Sequence, residues 1–132
     1  MITLEIRPDA RPGLALMHLA FRPPRVDEDA ARYLAALERI GAQEAPFLLL
    51  LDLAGAGMAP PELRRQEARW LKKNRDGLRA RLCAAAVVMS RPTPRAEQSF
   101  ARLFDAPVLL SDSRAAALSF LLSPTVETEA RP

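Results

Sequence analysis

The sequence predicts a mixed α/β fold. A mainly parallel sheet of four to five strands carries an N-terminal antiparallel hairpin and about four helices, in the order β-β-α-β-α-β-α-β-α. Three observations lead there. Two continuous apolar runs, "FLLLLDL" from Phe47 and "CAAAVVM" from Cys83, have the length of strands and the composition of strands buried on both faces. Segments with apolar residues at helical spacing alternate with these runs, which implies parallel pairing through right-handed crossovers. At the start, "ITLEI" and "LALMHLAF" follow one another with turn residues and no helix between them, as an antiparallel pair does.

Taken in order, "ITLEI" alternates apolar and polar residues and reads as a half-buried strand. "RPDARPG" is turn chemistry, so the hairpin is expected to have a long loop, with Pro12-Gly13 as its punctuation. The second strand is expected near the sheet edge. "RPPRV" breaks the chain, and Asp27 is placed to cap a helix through Ala30, Tyr33, Leu34, Leu37 and Ile40, ended by Gly41. After the Phe47 strand, Pro60 and Pro61 suit a helix start, because a first-turn proline forfeits no hydrogen bond. That helix runs from about Glu62 to about Arg81 with Leu63, Trp70, Leu71 and Leu78 on one side, loosened at Gly77. Thr93 caps a third helix through Ala96, Phe100, Leu103 and Phe104. "PVLL" is a short strand, and Asp112 or Ser113 caps a last helix through Leu118, Leu121 and Leu122. Residues 1–123 read as one domain, and the polar stretch 124–132 as a frayed tail.

Composition narrows the chemistry. With 132 residues, 49% of them hydrophobic, the chain can bury a core without covalent staples. The one cysteine, Cys83, sits in an apolar run and reads as core; no internal disulfide can form. The N-terminal segment lacks the pattern of a secretory signal, and no apolar run approaches the length of a membrane span, so a cytoplasmic protein is expected. The net charge of +3 is mild and rests on arginine in a chain rich in alanine and proline, which makes nucleic acid an unlikely partner.

The single histidine, His18, has no cysteine or carboxylate at ligand spacing, so no zinc site of the usual kind can be built. It reads as a structural or surface histidine, since no serine lies near it in sequence to serve as a nucleophile. "GAG" at 55–57 is no P-loop, because no Gly-Lys-Ser/Thr follows. Nor does it complete a Gly-x-Gly-x-x-Gly fingerprint, whose third glycine would be Pro60. Asp52 at the end of a central strand, with Ser90 at the end of the next, resembles the phospho-acceptor arrangement of receiver domains. The acidic pair and the lysine such a domain requires are missing. No catalytic residue, metal site or cofactor is expected.

Two features remain. Parallel strands end on one edge, where open α/β sheets bind ligands. That edge would gather Asp52, Gly55, Gly57, Ser90, Arg91, Thr93 and Arg95, together with Ser111, Asp112 and Ser113. Such a group suits a small anion or an acyl lipid, although helix capping explains Thr93, Asp112 and Ser113 equally well. The second helix sets Arg65, Arg69, Lys72, Arg75 and Arg79 opposite its apolar side, a face suited to an acidic protein; Glu67 and Asp76 dilute it. Any helix laid on a sheet also has a solvated outer face, so charge alone does not make this one a docking surface.

The order of elements resembles the STAS-like fold of bacterial anti-sigma-factor antagonists and their divergent relatives, over about Met1 to Leu122. Two local stretches carry the resemblance: Asp52-Leu53-Ala54-Gly55, similar to the Asp-Leu-Ser-Gly that ends the family's central strand, and the alanine-rich "SRAAALSFLL". The resemblance implies a non-enzymatic module that works by protein contact, with a leaning to a homodimer. In such antagonists a serine at the start of the following helix is phosphorylated. Here that helix begins Ala59-Pro60-Pro61-Glu62, and no serine or threonine occurs from Leu4 to Met89, so the switch is absent.

Overall fold

The computed structural model describes residues 1–22, 28–54 and 61–123. Among these residues nine elements follow in the expected order: β1 (Ile2–Arg11), β2 (Leu14–Phe21), α1 (Asp29–Gly41), β3 (Phe47–Asp52), α2 (Pro61–Arg81), β4 (Leu82–Val88), α3 (Pro94–Phe104), β5 (Val108–Ser111) and α4 (Arg114–Leu121). They build one five-stranded sheet in the order β1-β2-β3-β4-β5. β1 pairs antiparallel with β2, and all other pairs are parallel.

Each crossover therefore joins neighbouring strands. Crossovers of one hand between successive neighbours all fall on one face, and the core divides accordingly. On one side of the sheet, Met17, Leu19, Phe47, Leu49 and Ala85 pack against Tyr33, Leu37 and Ile40 of α1, Trp70 and Leu78 of α2, and Phe104 of α3. On the other, Leu14, Leu16, Leu48, Leu50, Ala84, Ala86 and Val88 pack against Ala117 and Leu121 of α4. The alternation within β2 and β3 follows from the two-residue period of a strand. β4 is buried along its whole length, as a strand covered on both faces must be.

Several local expectations are corrected. β1 runs on to Arg11, so the hairpin loop is the pair Pro12-Gly13 and not a long one. The irregularity is absorbed inside the strand, where the register shifts between Arg7 and Arg11 and Asp9 takes a left-handed φ of 54°. Pro8, without an N–H, falls where the pairing is interrupted, a place proline tolerates on an edge strand. Gly13, at φ 76°, occupies the turn position that glycine fills without steric cost. β2 lies near the sheet edge, as expected, between the edge strand β1 and β3. α1 ends at Gly41, as expected, with Ala42 as its C-cap. Gly41 also serves the packing of α1 on α2: a Cβ there would lie 2.8 Å from Asn74 Oδ1 and 3.2 Å from Trp70 Nε1. α2 is unbroken at Gly77. Asp27 and the tail lie outside the described residues.

Candidate functional site

α2 places its charges by geometry. With 100° per residue, Trp70, Leu78 and Glu67 share the inward side, and Trp70 and Leu78 are buried. Arg65, Arg69, Lys72, Arg75 and Arg79 are all exposed, as expected, and Arg64 and Lys73 extend the same outward surface. Glu67 leaves that surface: it is half-buried and accepts a hydrogen bond from the Tyr33 hydroxyl of α1. Burial and the neighbouring Glu67 carboxylate, in that order, push the Tyr33 phenol far above its usual range, so it stays protonated and donates. The acids remaining on the exposed face are Asp76 and Glu62, and Glu62 is taken by Arg65 through hydrogen bonds of 3.3 and 2.8 Å. Arg79 reaches across to α3 and donates to the Arg102 carbonyl at 3.3 Å. α2 thus presents a nearly uniform cationic surface, more so than its linear composition suggests, because one of its acids turns inward.

The strand-end residues divide. Asp52 is 2% exposed and lies on the α4 side of the sheet, in line with Leu48 and Leu50. Its Oδ2 accepts from Arg114 Nε at 2.9 Å and from a terminal nitrogen of the same guanidinium, while Oδ1 accepts from the Ala54 N–H at 3.3 Å. A buried carboxylate requires such a partner. Sequence reasoning does not single out Arg114, yet one signal marks it: it is the only charge in "SRAAALSFLL", directly after the cap. Thr93 caps α3 by accepting from Ala96 N–H at 3.1 Å, and Ser113, not Asp112, caps α4 by accepting from Ala116 N–H at 3.1 Å. Ser90, Arg91 and Arg95 are exposed. Gly55 and Gly57 lie outside the described residues.

His18 belongs to the neighbourhood of Asp52. Its cross-strand neighbours are Glu5 on β1 and Leu50 on β3, which sets it on the α4 side, one pleat from Asp52. Its Nε2 is buried and without a hydrogen-bond partner among the described residues. Burial lowers its basicity; Asp52 and Glu5 oppose the shift, and Arg114 and Arg22 add to it. Cys83 is buried in the same layer.

Among the described residues no group of three or more potential ligands could hold a metal ion, and no helix is long and apolar enough to cross a membrane. Compared with family models, with curated proteins and with solved structures, the chain matches none.

Proposed function

We propose that this chain is a non-enzymatic, STAS-like protein-interaction module. It docks on an acidic protein through the outward face of α2 and the loop before it, and without a phosphoserine switch. The observation that carries this reading is the cationic surface of α2, from which Glu67 is withdrawn by its bond to Tyr33. α2 holds eight basic and three acidic residues, an excess of five in a chain whose total is +3. A preformed helix face of this kind steers an acidic partner and orders nothing on binding. It carries no aromatic residue on its exposed side, so it lacks the stacking platform that single-stranded nucleic acid requires.

The test is affinity capture with the native chain and with the Arg65→Glu, Arg69→Glu, Lys72→Glu variant. The variant is expected to lose the acidic proteins the native chain retains, and their release from the native chain is expected to follow salt. If every captured protein survives the charge reversal, the reading is wrong.

A further inference from the structure

A second feature lies beneath α2 and is independent of its outward charges. Between β3 and the three helices on its side is a cavity of about 90 Å³, lined by leucines and by four of the chain's seven aromatic side chains, Tyr33, Trp70, Phe100 and Phe104. Its wall contains one carboxylate, Glu67, from the inward side of α2. Among the described residues Glu67 has a single hydrogen-bond partner, Tyr33, which engages Oε2. Oε1 therefore remains free to accept, on a residue that lines an otherwise apolar chamber.

We propose that this chamber is a binding site for a small apolar molecule bearing an N–H or O–H donor, with the donor received by Glu67 and the apolar part seated against Trp70 and Phe100. At about 90 Å³ the chamber is smaller than the ~150 Å³ cavity that holds benzene, so it admits a short alkyl chain or the leading edge of a single ring, the remainder lying at its open mouth. An empty apolar cavity forfeits contacts along its wall, and an apolar occupant restores them. The aromatic lining favours a ring or an ammonium group equally well. A fatty acid or other anion is disfavoured, because its head would meet a carboxylate in a site poor in water. The chemistry shared by amine and alcohol is the donor, and the probes separate the two.

Trp70 is the only tryptophan and lines the chamber, so its fluorescence reports occupancy directly. The native chain is titrated with benzylamine, benzyl alcohol, toluene and benzoate. Saturable change with benzylamine or benzyl alcohol is expected, with toluene weaker and benzoate silent; tighter binding of benzylamine assigns an ammonium, parity assigns a neutral donor. Glu67→Gln still accepts from Tyr33 and is expected to fold, yet to bind benzylamine about tenfold more weakly or worse. Leu51→Phe fills the chamber and is expected to abolish the response, with its fold checked by circular dichroism. The proposal is overturned if no probe gives saturable change, if benzoate binds as well as benzylamine, or if Glu67→Gln leaves every affinity unchanged.

Discussion

Arg114, the first residue of α4, closes its guanidinium on Asp52, the last residue of β3, across 62 positions of sequence. The pair is asymmetric: Asp52 is 2% exposed and the Arg114 side chain 47%. Removing the arginine strands a buried charge, whereas removing the carboxylate returns a guanidinium to water. Arg114→Met is therefore expected to cost about 2–3 kcal/mol of stability and Asp52→Asn only about 1–2 kcal/mol. The double variant should cost less than the sum. Chemical denaturation of the four chains measures all three terms; equal single costs would refute the asymmetry.

His18 makes stability depend on pH with a definite sign. Its folded basicity lies below the ordinary pKa of 6.5, so as pH falls through that value the unfolded chain takes up a proton that the folded chain resists. Stability attributable to His18 is thus complete above 6.5 and declines below it. Native protein and His18→Leu, compared by denaturation from about pH 7 to about pH 5, should diverge, the native chain losing more. Parallel profiles would exclude the effect.

Alanine ordinarily outranks glycine at a helical position, but α1 and α2 approach one another at Gly41, the last residue of α1. A methyl group there meets the Asn74 amide, which is held by its hydrogen bond of 2.9 Å to the Trp70 carbonyl. Gly41→Ala is expected to bring no gain in melting temperature. Combined with Asn74→Ala, the same change should recover stability relative to Asn74→Ala alone. Gly77→Ala, whose new methyl would meet the terminal guanidinium of Arg81, is expected to stabilise, because that long side chain can swing aside.

The two serine and threonine caps offer a matched comparison with an uninvolved neighbour. Thr93→Ala and Ser113→Ala should each cost about 1 kcal/mol, and Asp112→Ala, exposed and outside the cap, within about 0.5 kcal/mol of nothing. A larger loss at Asp112 than at Ser113 would contradict the observed capping.

The architecture was legible because its signals are collective. "FLLLLDL" and "CAAAVVM" can be strands only where both faces are covered, and the helices between them leave few topologies. The local failures have a common cause, which is that a residue's chemistry does not name its partner. Pro8 and Asp9 carry turn chemistry whether they end a strand or bulge it. Gly41 suits a helix end and stands at one, but that it also admits the neighbouring helix depends on Asn74 and Trp70 of α2. Asp52 was placed correctly at the strand end, but its burial, and so its need for Arg114, depends on α4 folding back over β3. Glu67 looked like a dilution of the α2 charges until its contact with Tyr33 of α1 turned it to the other side. The outward position of the five α2 cations follows from periodicity alone, whereas the pairing of Asp52 with Arg114 needs the tertiary fold.

The division of the core has a consequence for how the chain comes to be made. Three helices are laid on one side of the sheet as synthesis proceeds, each directly after the strand it follows. The opposite side, with Leu48, Leu50, Ala84 and Ala86, meets Ala117 and Leu121 only when residues 114–121 have been translated. Until then a growing chain on the ribosome carries an apolar sheet surface with no cover and a buried-type aspartate with no counterion. A nascent chain stalled before Arg114 is thus the form most exposed to chaperones and to aggregation.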